Sequence, residues 1–73
     1  MSPRLPSLTS RDVVRLAESQ GFYKVRQKGS HARYVHPDGR STVIPVHAGA
    51  TIGPGLLLQI LADIGVDPAD VRR

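Results

Sequence analysis

The sequence predicts an α+β fold with the element order α-β-β-β-α, in which a three-stranded antiparallel sheet has both helices on one face. Apolar residues recur at three- and four-residue spacings near the start and near the end of the chain, which is typical of amphipathic helices. Between them lie three short stretches rich in aromatic and branched residues, separated by glycine-containing turns, which indicate strands. A small sheet needs one covered face to be stable, so both helices are expected on the same side.

Size and composition indicate one globular domain. The chain has 73 residues, of which 40% are hydrophobic and 22% charged, and this balance excludes a disordered chain. Cysteine is absent, which excludes disulfides and thiolate zinc sites. We expect a flexible N-terminal arm over residues 1–8 and a single domain over residues 9–73. No apolar run resembles a signal peptide or a membrane span, so the expected location is the cytoplasm.

The first helix is predicted from Ser10 to about Gln20. Thr9 can accept a hydrogen bond from the helix start, and Asp12 stands three residues later, as in a capping box. Gly21 provides a left-handed terminator.

The second helix is predicted over residues 54–64, with a proline in its first turn and Gly65 at its end. It contains three consecutive leucines, Leu56, Leu57 and Leu58. These cannot all point at one core, so at least one of them should be exposed.

The strands are predicted from two hairpin-like connections. Residues 22–28 and 30–36 are separated by Gly29 and indicate a tight hairpin. A third strand over residues 41–46 follows the sequence Pro-Asp-Gly, in which proline suits the first central turn position and glycine supplies positive φ. All three strands are therefore expected to be antiparallel.

The register of the predicted hairpin determines which of its side chains share a face, because side chains alternate along a strand. A two-residue turn at Gly29 and Ser30 gives three cross-strand pairs on one face: Lys28 with His31, Arg26 with Arg33, and Lys24 with Val35. The opposite face then carries the side chains of Tyr23, Val25, Ala32 and Tyr34. We therefore predict a cationic face open to solvent and an apolar face under the helices. Only a β-bulge would alter this assignment.

The cationic face points to a polyanion as the ligand. The net charge is +4, the isoelectric point is about 10.4, and no lysine or arginine occurs over residues 41–71. His31 stands among the cations of this face, and imidazole can act as a general base near neutral pH. Because RNA carries its own 2′-hydroxyl nucleophile, a base with cationic stabilisation is sufficient to cleave it.

Other chemistries fit the sequence less well. Hydrolysis of DNA generally needs carboxylates that hold a metal, and the six acids are scattered over helix ends and turns. The spacing of the three histidines matches no metal motif, so neither a metal nor a cofactor is expected. His31 could instead be an ordinary surface residue, and His36 is interpreted as a strand-end residue at the rim of the sheet. His47, Gly53 and Gly55 are secondary site candidates, the two glycines because helix N-termini can bind phosphate.

Several motifs resemble those of the HicA toxins of prokaryotic toxin–antitoxin pairs. These are KGSH on the hairpin, VIPVH at the third strand and GPGLLLQILADIGV at the second helix, and the likeness extends from about Leu8 to Val71. The resemblance implies a fold similar to double-stranded RNA-binding domains and an mRNA interferase activity without a cofactor. It implies a catalytic role for His31, the histidine of the Gly-Ser-His motif, and neutralisation by a HicB antitoxin. Contact with operator DNA would then be indirect, through the antitoxin.

The residues and the resemblance together predict an endoribonuclease toxin with His31 as the general base or acid. The alternative is a non-catalytic RNA-binding or protein-interaction module of the same fold. The family commonly carries threonine or basic residues where this chain has Leu56, Leu58 and Ala62. The predicted RNA-binding residues are Lys24, Arg26, Lys28, Ser30 and Arg33.

Overall fold

The order of helices and strands confirms the predicted α+β fold. The computed structural model describes residues 7–47 and 49–71 of the chain. Residues 1–6 of the predicted N-terminal arm lie outside the described residues, while Leu8, at the end of that predicted arm, is buried in the core. The elements are α1 (Ser10–Ser19), β1 (Tyr23–Lys28), β2 (His31–Val35), β3 (Ser41–Pro45), α2 (Pro54–Ile64) and a short 3-10 helix (Pro68–Val71).

The ends of both helices follow from their local sequence. At the start of α1, the Thr9 hydroxyl accepts a hydrogen bond from the Asp12 amide at 3.2 Å, and the Asp12 carboxylate accepts one from the Thr9 amide at 3.0 Å. This is the predicted capping box. The second helix begins after Gly53, with Pro54 in its first turn, and ends at Gly65, whose φ of 76° is readily adopted by glycine.

The sheet has one covered and one open face. Its strand order is β1-β2-β3 with antiparallel neighbours, and both helices pack chiefly against β3. Thr42 of β3 is buried, and its hydroxyl donates to the Asp63 carboxylate on α2 at 3.0 Å, which joins the helix to the sheet. The core includes apolar residues from α1, the segment before β1, the covered face and α2, namely Val13, Ala17, Phe22, Ala32, Tyr34, Ile44, Leu57, Ile60, Leu61 and Ile64.

The first strand departs from the predicted register. Its pairs nearest the turn are as predicted, but the register shifts on either side of Val25, so that Lys24 pairs with Tyr34 rather than with Val35. Such a β-bulge adds one residue and reverses the alternation of side chains beyond it. Tyr23 therefore lies opposite Val35 on the open face. The predictions that Lys24 lies on the open face and that Tyr23 lies under the helices are wrong.

The position of β1 at the edge of the sheet explains why its alternation could change. All six of its residues are exposed, including Tyr23 at 51% and Val25 at 50%, so the prediction that Val25 is covered is also wrong. Burial normally specifies the register of a strand, because a slip by one residue would expose its apolar side chains. With both sides of β1 in solvent, burial does not impose that constraint.

The three consecutive leucines of α2 confirm the expectation that they cannot all face the core. Leu57 is 1% exposed, whereas Leu56 and Leu58 are 45% and 46% exposed. The buried positions of the helix recur at the spacing of one helical face. Neither this helix nor any other in the described part of the chain is long and apolar enough to cross a membrane.

Replacement of these neighbouring leucines should give very different stabilities. We expect Leu57→Ala to lower the free energy of unfolding by about 3 kcal/mol, because it leaves a cavity in the core. Leu56→Ala removes the same atoms from solvent-exposed surface, so it should change the free energy of unfolding by less than about 0.5 kcal/mol. Urea unfolding followed by circular dichroism measures both.

A milder core variant keeps this comparison interpretable if Leu57→Ala does not fold. Ile60 is also 1% exposed, and its replacement by valine should lower the free energy of unfolding by about 1 kcal/mol. Equal stabilities for the variants at Leu56, Leu57 and Ile60 would contradict the described packing of α2.

Candidate nucleic-acid interface

The open face consists of three rows of side chains that run across the strands. In the first row, Lys28 and Pro45 lie on either side of His31; in the second, Arg26 and Val43 lie on either side of Arg33; in the third, Tyr23 and Ser41 lie on either side of Val35. The central residues belong to β2, where exposed and buried positions alternate. The helices lie on the other side of the sheet, so this surface is available to a ligand.

His31 is held at the hairpin end of the open face. Gly29 adopts a φ of 58° in the two-residue turn, which places Lys28 directly opposite His31, as predicted. On the other side, the Val46 amide donates to the Ser30 carbonyl at 2.6 Å. That bond makes His31 and Pro45 a non-hydrogen-bonded pair, in which the Cα atoms approach to about 4.5 Å. Backbone bonding on both sides of β2 therefore fixes the backbone position of His31 on the open face.

The charge of the open face is entirely positive among the described residues. Arg26, Lys28 and Arg33 are exposed, and neither an aspartate nor a glutamate occupies any of the three rows. Among residues 7–47 and 49–71, no carboxylate lies within ion-pair distance of these cations. A surface of this kind attracts phosphate groups, and water rather than protein solvates its cations in the absence of a ligand.

Lys24 is separated from this group by the bulge. It lies opposite Tyr34, at a position with the parity of the covered face. Its ammonium group donates to the side-chain oxygen of Gln27 at 3.1 Å, and Gln27 in turn donates to the Gly29 carbonyl at 3.1 Å. Of the predicted RNA-binding residues, the structure therefore brings Arg26, Lys28 and Arg33 together around the rows of the open face and places Lys24 elsewhere.

His36 has a structural environment that differs from that of His31. Its ring packs edge-on against Phe22, with the ring centroids 5.2 Å apart. Its Nδ1 accepts a hydrogen bond from the Asp38 amide at 3.0 Å. These contacts confirm the interpretation of His36 as a strand-end residue at the rim of the sheet.

Arg40 also belongs to the rim and not to the cationic face. Its guanidinium group donates to the Asp38 carboxylate at 2.8 Å and to the Ile64 carbonyl, at the end of α2, at 3.2 Å. It also lies over the Phe22 ring, 5.3 Å from the centroid. A cation at this position satisfies a carbonyl of the last helical turn and interacts favourably with the helix dipole.

The contacts with Arg40 stabilise the ionised form of Asp38. The Arg40 backbone amide donates to the carboxylate at 3.0 Å and holds the pKa of Asp38 below its usual range. The guanidinium hydrogen bond and the charge of Arg40 lower that pKa further, against the opposing effect of desolvation. The turn between β2 and β3 is thus stabilised by a carboxylate that is charged at neutral pH.

The secondary candidates lie outside the three rows of the open face, although His47 follows Pro45, the partner of His31 on β3, by only two residues. His47 is exposed just beyond β3 and shares no hydrogen bond with His31. Gly53 and Gly55 are exposed at the start of α2. Within the described part of the chain, no group of three or more histidine, cysteine or acidic side chains could hold a metal ion. A depression of about 620 Å³ is lined by Thr9, Ser10, Arg11, Val46, His47 and Gly49.

Sequence reasoning missed the apolar part of the open face. Tyr23 was predicted on the wrong side, and Val43 was given no role, although the structure leaves it 47% exposed opposite Arg33. The alternation of β3 could have identified Val43, because Thr42 and Ile44 on either side of it are buried. No simple sequence signal identifies the bulge that moves Tyr23.

Comparison with known families identifies the group to which this chain is related. The family model described as the HicA toxin of bacterial toxin–antitoxin systems matches residues 10–66. The chain belongs to the HicA toxin family. The matched region of this HicA toxin contains both helices and all three strands, and hence the whole open face. Membership makes the protein the toxin of a toxin–antitoxin pair, with an antitoxin as partner. No curated protein matches the chain.

The environment of Asp38 predicts a specific pH dependence of stability. A carboxyl whose pKa is lowered by folding stabilises the protein above its unfolded pKa, and this contribution disappears as the pH falls through the folded pKa. We therefore expect Asp38→Asn to be less stable than the wild type at pH 7, with the difference shrinking once the pH falls below the usual aspartate range. Thermal unfolding at a series of pH values measures the difference.

The matched control for that series is Asp70→Asn, because Asp70 is exposed and accepts no side-chain hydrogen bond among the described residues. The wild type and this control should have nearly parallel pH profiles. A stability difference for Asp38→Asn that is the same at pH 7 and at pH 2 would contradict the assigned role of the carboxylate.

Proposed function

We propose that this HicA toxin is a metal-independent endoribonuclease in which His31 is the catalytic residue. The observation that carries the proposal is the first row of the open face, where an exposed imidazole lies directly opposite Lys28. The next row adds the guanidinium groups of Arg26 and Arg33 on the same face. One proton acceptor among several neighbouring cations is the arrangement needed to move a proton at a phosphodiester.

The proposed reaction is an internal transesterification of RNA. The 2′-oxygen attacks the adjacent phosphorus, the bond from phosphorus to the 5′-oxygen of the next nucleotide breaks, and the products carry a 2′,3′-cyclic phosphate and a 5′-hydroxyl. His31 takes the proton from the 2′-hydroxyl or gives one to the departing 5′-oxygen. Lys28 and Arg33 bind the non-bridging oxygens and stabilise the negative charge that develops on them.

The proposed partner is a HicB-type antitoxin that covers the open face. Three of the exposed large apolar residues, Tyr23, Val25 and Val43, lie on or beside that face. Apolar side chains surrounded by cations suit an acidic protein surface with an apolar centre. Such an antitoxin would block access to His31 and carry any contact with operator DNA, and an mRNA substrate places the pair in the cytoplasm.

The same apolar residues favour the second candidate, a module that binds RNA or protein without cleaving it. Both candidates predict RNA binding, so binding does not distinguish them. Cleavage that depends on His31 does.

The decisive experiment is cleavage of a long single-stranded RNA in the presence of EDTA. We expect the wild type to cut and His31→Ala to cut at least ~100-fold more slowly, since general acid–base catalysis contributes about that much or more. Ser19→Ala, an exposed substitution at the end of α1, is the control for handling and should match the wild type. His47→Ala tests the secondary candidate and should retain cleavage within about tenfold.

Two results would contradict the enzymatic proposal. Cleavage by His31→Ala at the wild-type rate would remove His31 from the mechanism. Binding of RNA by a folded wild type that never cuts it would favour the non-catalytic module. Circular dichroism spectra of all variants establish that a loss of activity is not a loss of fold.

The role of the cations can be measured separately through the salt dependence of RNA binding. In a His31→Ala background, which prevents cleavage, we expect Lys28→Ala and Arg33→Ala each to reduce the slope of log affinity against log salt concentration by about 0.7. Arg15→Ala removes the same charge from the exposed side of α1 and should leave the slope unchanged. Equal slopes for all three variants would contradict binding at the open face.

A further inference from the structure

The β-bulge at Val25 gives the open face an aromatic side chain that regular alternation would have placed under the helices. Tyr23 lies opposite Val35, in the third row, and is 51% exposed. An aromatic residue usually buries most of its surface, and the other aromatic residues of the chain, Phe22 and Tyr34, are 3% and 5% exposed. The bulge thus directs one ring of three toward the ligand side of the sheet.

The third row of the open face is separated along β2 from the first row, which contains His31. From His31 to Val35 the chain advances four residues along β2, which is about 13 Å at ~3.3 Å per residue. The cations of the second row lie between them. An RNA strand that follows the rows from His31 past Arg33 therefore meets Tyr23 at a nucleotide that flanks the cleaved bond.

The chemistry of the third row suits a nucleobase better than another phosphate. Tyr23 offers a planar ring, and Val35 across from it offers an apolar surface without charge. Bases of single-stranded RNA stack on such rings, whereas bases in a duplex are already stacked on their neighbours. Cations at one end of the face and an aromatic ring at the other match a strand whose phosphates and bases are both accessible.

We infer that Tyr23 is a base-stacking platform that selects an unpaired nucleotide flanking the cleavage site. The inference rests on the proposed ribonuclease function and on the occupant of the open face being RNA. The positive charge of the face, with no acid in its three rows, supports RNA as that occupant. Tyr23 thereby acts as a specificity-determining residue in the row that lies about 13 Å along β2 from His31.

The test uses a short single-stranded RNA whose cleavage site has been mapped with the wild-type protein. We expect Tyr23→Ala to lower kcat/KM and affinity by about tenfold, the effect typical of removing one base stack, and Tyr23→Phe to retain the wild-type values. Leu58→Ala is the matched control, because it removes a comparably exposed apolar side chain from α2 and should change neither quantity.

Base stacking has readouts that a structural role for Tyr23 would not produce. A series of abasic substitutions on each side of the cleavage site should contain one position at which the wild type and Tyr23→Ala become equal. In an uncleavable RNA with deoxyribose at the cleaved nucleotide, 2-aminopurine at that position should be quenched by the wild type and by Tyr23→Phe but not by Tyr23→Ala. When the RNA is paired with its complement, the wild type and Tyr23→Ala should no longer differ in kcat/KM or affinity.

The outcomes distinguish a failure of the stacking inference from a failure of the proposed ribonuclease function. If the wild type cleaves, His31→Ala does not, and Tyr23→Ala equals the wild type on every substrate, the stacking inference is wrong and the ribonuclease remains. If Tyr23→Ala leaves RNA cleavage unchanged but weakens the complex with the antitoxin, the ring is a protein contact and the inference is also wrong. If neither the wild type nor any variant cleaves RNA, the proposed ribonuclease function itself is wrong.

Discussion

The burial of Ala32 and Ile44 under the helices determines which side chains of the sheet face solvent. Both side chains are completely buried, and they face each other across β2 and β3. Because side chains alternate, this burial forces His31, Arg33 and Val43 to the opposite surface. A slip of β2 by one residue would expose the core residues and hide the cations, so the same packing that stabilises the fold also orients the candidate site.

The histidines of this HicA toxin show how the fold gives one residue type different environments. His31 is exposed beside a lysine and holds no contact with an acid among the described residues. His36 packs against Phe22, and its ring nitrogen accepts a hydrogen bond from the Asp38 amide in the following turn. These contacts account for its position without a catalytic role. His47 extends beyond the last strand. Only His31 is both exposed and directly opposite one of the cations of the open face.

Local signals were sufficient to predict the helices and the centre of the candidate site. Helix α1 begins at the capping box of Thr9 and Asp12, and α2 ends at the left-handed Gly65. Both signals act within a few residues of sequence. The two-residue turn at Gly29 likewise fixed the pairing of Lys28 with His31. The bulge at Val25 could not be predicted in this way, because both sides of β1 are exposed and no pattern of burial records its register.

The ion pair between Arg40 and Asp38 leaves this HicA toxin with an asymmetric distribution of charge along its sheet. At the turn between β2 and β3, the charge of Arg40 is neutralised by the Asp38 carboxylate, and its guanidinium group also donates to the Ile64 carbonyl. At the opposite turn, Lys28 has no such counterpart among the described residues. The sheet therefore has an electric dipole along β2, and a polyanion diffusing toward the protein would experience a torque that turns the His31 end toward it before contact.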